Sequence, residues 1–148
     1  MYASVGSYRA CAWRGFDFKF TRHPPMPYVL ALAAAIYINF FSHHFIPDVR
    51  LALFAISAVL FARTWIFYRI RRQHRRMPLL LGLVLVTLFI WFAENIGTFA
   101  RAWIYPHQLG KEWTPVGTAK IGSWYLLMLI SYSLVALVHG TKSTTRET

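Results

Sequence analysis

The sequence predicts an all-α fold, a polytopic transmembrane helical bundle of about four spans with an N-terminal interfacial or partial helix in front of it. Three observations predict it. Of 148 residues, 57% are apolar and only 14% are charged, a balance more hydrophobic than that of ordinary soluble domains. The apolar residues gather into runs long enough to cross a hydrocarbon core of about 30 Å at about 1.5 Å per helical residue. The charge, sixteen Lys and Arg against five Asp and Glu for a net of +11, is segregated between those runs. So apolar and aromatic a chain is not disordered, and its single cysteine, Cys11, excludes an intrachain disulfide.

Residues 1–25 combine the small residues Ala3, Ser4, Gly6 and Ser7 with Arg9, Arg14 and the aromatics Trp13, Phe16, Phe18 and Phe20. That pattern suits an interfacial amphipathic helix or the end of a membrane helix that begins upstream, and it lacks the charged start and apolar core of a signal peptide. The run His23-Pro24-Pro25-Met26-Pro27 breaks any helix there. A transmembrane domain is expected over 26–140, with spans near 27–46, 49–70, 77–101 and 119–138. The first span meets no charge before Asp48. The second is interrupted by Arg63, which is expected to snorkel inward or to bond Tyr132 or Ser133 of the fourth. The third opens with Pro78 in its first turn, where a missing N–H costs nothing, and carries Glu94 and Asn95. The fourth has no charge after Lys120. In lipid every backbone N–H and C=O must be satisfied within its own segment, so the aromatic and β-branched residues of these runs are read as helix. Gly82, Gly97 and Gly122 are read as close packing points. Residues 141–148 form a polar cytoplasmic tail.

The positive charge invites a nucleic-acid reading centred on Arg69, Arg71, Arg72, Arg75 and Arg76. Membrane orientation explains it better. With alternate ends assigned to opposite sides, eleven basic residues fall on one side and four on the other, Arg63 being counted apart. The positive-inside rule makes the richer side cytoplasmic, both termini included. The partners expected are therefore the bilayer and its anionic head groups beside those five arginines, with no nucleic acid and with self-association open.

An ionisable residue inside a span is costly, which makes it the starting point for a functional reading. Asn39, His43 and His44 lie roughly 18 to 26 Å along the first span and Glu94 and Asn95 roughly 25 to 27 Å along the third, so all occupy the outer half of the membrane. Ser123, Trp124 and Tyr125 of the descending fourth span share that depth. Thr87, Trp91, Glu94, Thr98 and Arg101 recur at helical steps and form one stripe. The candidate catalytic residues are Glu94, His43 and His44, and the candidate binding residues Asn39, Asn95 and Tyr125, gathered round an outward cavity. The plainer alternative has Glu94 satisfied by Asn95, Thr98 or Arg101 and the histidines in wet headgroup surroundings. His107 could join His43, His44 and Glu94 around a metal only by supposition, and no ligand spacing in the sequence supports a metal site or a cofactor. Aromatics near the span ends (Tyr28, Trp65, Tyr68, Trp103, Tyr105, Trp113, Trp124) are read as belt anchors.

The strings FDFKFTRHPP, AIYINFFSHHFIPDVR, FIWFAENIGTFARAWIYP and KIGSWYLLMLISY resemble the bacterial integral-membrane family of domain of unknown function 817, from about Met1 to His139. Members of that family are longer, with further membrane helices upstream. The resemblance implies a polytopic inner-membrane protein and a chain that is a C-terminal portion or an N-terminally truncated member. It brings no substrate and no catalytic residues. Three functional expectations follow from the residues: a small-molecule carrier or transport component, an intramembrane enzyme on a lipid or isoprenoid with Glu94 as acid/base, or a noncatalytic subunit of a membrane assembly.

Overall fold

The structure, a computed structural model, describes residues 18–42, 49–70, 73–109 and 112–140, together with residues 11 and 15. The expected N-terminal helix lies almost wholly outside the described residues, as do His43, His44, Arg71, Arg72, the side chain of His107 and the C-terminal tail. The described chain opens with the short strand β1 (Lys19–Thr21), followed by α1 (Met26–Ser42), α2 (Arg50–Phe61), strands β2 (Trp65–Ile70) and β3 (Gln73–Pro78), α3 (Leu79–Phe99), a 3₁₀ turn (Pro106–Gln108) and α4 (Ala119–His139). The fold is mostly helical. It is not all-α, because the three strands form one antiparallel sheet in the order β1-β2-β3.

α1 starts at Met26, close to the expected 27, directly after Pro24 and Pro25 and with Pro27 in its first turn. The second expected span is corrected. Its helix ends at Phe61, the turn that follows contains Arg63, and the string WIFYRI is a strand, paired Phe67 with Lys19 on one side and with Arg76 on the other. Lipid would have forced these residues to be helical; two neighbouring strands supply the ladder partners instead. Alternation then separates the faces, burying Ile66 while Trp65 is exposed. Arg63 is accordingly an exposed turn residue and not a charge within a helix, and Tyr132 and Ser133 bond elsewhere. Buried Thr64 joins the parts: its carbonyl accepts from Leu79 N–H at 3.0 Å, and its hydroxyl donates to the Arg22 carbonyl at 3.3 Å.

α3 and α4 are the two helices long and apolar enough to cross a membrane. α3 stops two residues short of the expected end. The N–H of Ala102 reaches back to the Gly97 carbonyl and that of Arg101 to the Thr98 carbonyl, with Arg101 at φ 55°. This is the hydrogen-bond pattern of a left-handed helix stop, here carried by an arginine instead of the usual glycine. α1 and α3 run away from the sheet and α2 and α4 toward it. α4 lies at the centre, burying Leu126, Met128, Leu129, Tyr132 and Ala136 against the other helices and the sheet. Gly122 fits its expected role, since a Cβ there would stand 2.9 Å from the Phe54 ring of α2. By contrast, Leu81, Leu85, Phe89, Phe92, Ile96 and Phe99 leave a continuous apolar face of α3 exposed.

Candidate functional site: a buried carboxylate under the outer loop, and a polar groove beside it

Of the stripe read on α3, Thr87, Glu94 and Thr98 are buried and Trp91 is half-buried, as helical spacing requires, whereas Arg101 is exposed in the turn beyond the helix. Glu94 is 2% exposed and both its oxygens are occupied. Oε1 accepts from the Tyr105 hydroxyl at 2.5 Å and Oε2 from the Trp124 indole N–H at 2.7 Å. Its partners are thus two aromatics, one on the loop and one on α4, where the sequence pointed to Asn95, Thr98 or Arg101. The Lys120 ammonium lies over the Tyr105 ring, 3.1 Å from its centroid, and within electrostatic reach of Glu94.

Neighbouring side chains bind the same loop. The Asn95 carbonyl accepts from Val116 N–H at 2.9 Å while its amide donates to the Trp91 carbonyl, and the Trp91 indole donates to the Val116 carbonyl at 3.0 Å. Two side chains of α3 therefore hold both backbone groups of one buried loop residue, as a paired strand would. The Trp113 indole donates to the Thr98 hydroxyl at 3.1 Å, and Gln108 ties Tyr105 N–H to the Thr114 carbonyl. Trp103 closes over Gly97, where any Cβ would overlap its indole. By sequence Tyr105, Trp113 and Trp124 are expected to be belt anchors. Each is a hydrogen-bond donor to the α3 stripe, and the signal that could have found them is a carboxylate in an apolar run, which needs more donors than its neighbours on the helix can turn toward it.

The other expected members of a cluster go elsewhere. The Tyr125 hydroxyl meets Ser57 of α2 at 3.1 Å, and Asn39 accepts from Val49 N–H at 3.4 Å, joining the end of α1 to the start of α2. Neither touches Glu94. Asn39 instead borders an open groove of about 260 Å³ lined by Asn39, Phe40, Arg50, Ser123 and Leu126, in which Arg50 donates to the Ser123 hydroxyl at 3.5 Å. Among the described residues every buried side-chain nitrogen and oxygen has a hydrogen-bond partner, and no three His, Cys, Asp or Glu side chains gather as metal ligands would.

A second polar pair lies at the sheet end. His23 Nδ1 faces the Pro24 carbonyl at 2.6 Å and Nε2 the Tyr132 hydroxyl at 2.8 Å. A carbonyl only accepts, so Nδ1 carries the proton and Nε2 accepts from the tyrosine. Burial lowers the His23 pKa below its ordinary value, against the smaller opposing effect of the Pro24 carbonyl.

Comparison with known proteins gives a family. Residues 1–132 match the family described as protein of unknown function (DUF817). The uncharacterised protein YoaT of Bacillus subtilis (strain 168) is 44% identical over 142 residues, which cover 96% of this chain and 53% of that protein. The chain thus spans about half the length of the curated relative it matches. No solved structure matches it. The resemblance carried by the FAENIGTFARAWIYP and INFFSHHFIPD strings is therefore upheld along most of the sequence, and the chain belongs to the DUF817 family.

Proposed function

We propose that the chain is a four-crossing membrane module of the bacterial inner membrane that serves as a component of a small-molecule carrier, holding a small anionic solute in the groove between Asn39, Arg50 and Ser123. The observation that carries this reading is the depth of Arg50. Thr64 ties the lower end of α2 to Leu79 at the start of α3, and Arg50 stands eleven residues before Phe61. It therefore lies roughly 17 Å up a bundle whose α3 rises about 30 Å, near the level of Trp91. A guanidinium at that depth, facing a groove and not the lipid, is where solute recognition is expected in a membrane protein. α1 at about 25 Å and α2 at about 18 Å are each shorter than the hydrocarbon core of about 30 Å, so the crossing reading rests on α3 and α4 for its full-length spans.

The intramembrane-enzyme reading draws less support, because an acid/base must reach its substrate and Glu94 is 2% exposed, covered by the Tyr105 and Trp124 that donate to it. The assembly-subunit reading is favoured by one feature, the outward apolar face of α3. Flux measurements decide between carrier and assembly. In vesicles reconstituted with the purified chain, uptake of small carboxylates or inorganic phosphate should exceed that of empty vesicles. Arg50→Gln should lower it by about tenfold or more, the equivalent of about 1.4 kcal/mol, with the thermal midpoint unchanged. No uptake of any anion above empty vesicles would sink the carrier reading.

A further inference from the structure

We infer that the outer face of the sheet is a docking surface for the anionic head groups of phospholipids. The register fixes which residues share that face. Lys19, Phe67 and Arg76 are direct partners across the three strands, Trp65 and Arg69 flank Phe67 at the same pleat, and Thr21 and Pro78 pair with Trp65. Phe20 and Ile66, which alternate with them, are 1% and 8% exposed and pack into the helical core. One side of a three-stranded sheet is thus committed to the bundle, and the other presents three cations and two aromatics. Arg76 lies 5.5 Å from the centroid of the Trp65 ring, an arrangement that holds the guanidinium extended over an exposed indole.

Charge and position together select the occupant. The sheet runs directly into α3 at Leu79, the start of a helix long enough to cross a membrane, so its outer face stands at the depth where head groups begin. Cations interleaved with exposed tryptophan at that depth match a phosphate layer above an acyl boundary. A nucleic acid would meet the same cations, but in a membrane-bound sheet the lipid phosphates reach them first and at far higher local concentration. This inference rests on the membrane reading, and its test keeps the two apart.

The purified chain in neutral detergent is titrated with short-chain phosphatidylglycerol, phosphatidylcholine, inorganic phosphate or a single-stranded oligonucleotide, and thermal unfolding is followed. Phosphatidylglycerol should raise the midpoint well above phosphatidylcholine. Phosphate at equal concentration should not reproduce the rise, and the oligonucleotide should not displace the lipid. The combined substitution Lys19→Gln, Arg69→Gln, Arg76→Gln should abolish the difference between the two lipids, whereas Arg101→Gln at the opposite end should keep it. If the combined variant does not fold, Arg69→Gln and Arg76→Gln tested singly should each lower the apparent affinity for phosphatidylglycerol severalfold. Equal responses to the two lipids, a difference that survives the substitutions, an equal response to phosphate, or displacement by the oligonucleotide would each overturn the inference. Release of the chain from native membranes by alkaline carbonate would overturn the membrane reading itself; a chain that stays in the membrane but does not distinguish the lipids overturns only this one.

Discussion

A carboxylate on an apolar helix must find donors, and the two that Glu94 finds differ in what they can tolerate. The Trp124 indole can only donate, whereas the Tyr105 hydroxyl can donate or accept. Glu94→Gln therefore keeps both contacts: the amide oxygen accepts from Trp124 and the amide N–H donates to a turned Tyr105 hydroxyl. Glu94→Ala orphans both donors, one of them on the 6% exposed Trp124, at a cost of about 2–5 kcal/mol. Unfolding of the two variants in detergent should show alanine strongly destabilised and glutamine close to the parent. A glutamine variant of parental stability that has lost transport would instead give the carboxylate a chemical role. That Glu94 matters was legible in the sequence, because the expense of a buried acid depends only on where the apolar run lies. Its partners were not, because Tyr105 and Trp124 look like any aromatics at a membrane boundary until the 100–118 loop folds back over α3.

His23 belongs to the scale of elements, for it sits between β1 and α1 and joins both to α4. Its ring packs edge-on against Phe20 of the sheet and Phe61 of α2, with centroids 5.6 and 6.4 Å away, while its two nitrogens are taken by Pro24 and Tyr132. Burial disfavours the charged ring there, although the Tyr132 hydroxyl could turn to accept from a protonated Nε2. Because burial holds its pKa in the folded chain below the ordinary 6.5, the unfolded chain binds the extra proton first as pH falls. The stability this contributes is complete above 6.5, declines as pH drops below that value, and levels off beneath the lowered pKa of the folded state. The thermal midpoint of the parent should thus fall between about pH 7.5 and about pH 5 more steeply than that of His23→Phe, with the difference between the two isolating this histidine from the others. An identical slope in both would remove His23 from the account. The same scale shows why elements were less legible than positions. The starts of α1, α3 and α4 follow from prolines and apolar runs read locally. The strand at Trp65–Ile70 depends on pairing with Lys19–Thr21 and Gln73–Pro78, and a nonlocal ladder leaves no mark on a run that is equally apolar as helix. The stop of α3 at Arg101 departs from the glycine that normally announces such an end.

Over the whole molecule the sheet gathers charge at one end. Lys19, Arg22, Arg69, Arg75 and Arg76 surround it, while Arg101 and Lys120 stand at the other end with the 100–118 loop and Arg50 lies between the two. The two ends are separated by α3 and α4, helices of 21 residues each and so about 31 Å long. If those helices cross a bilayer, the excess of arginine over the sheet fixes its side as cytoplasmic, since translocating that cluster is the costlier alternative. Side-specific labelling tests this without reference to activity. With Cys11 changed to serine, a single cysteine at Gln73→Cys in the hairpin should react with a membrane-impermeant maleimide only after cells are opened. One at Glu112→Cys, in the exposed loop, should react in intact cells. Labelling of both in intact cells would mean that the sheet and the loop share one side, which no crossing by α3 permits. Labelling of Gln73→Cys alone would keep the crossing and reverse its direction, leaving the basic sheet on the outer face, where the anionic leaflet that its cations match is absent.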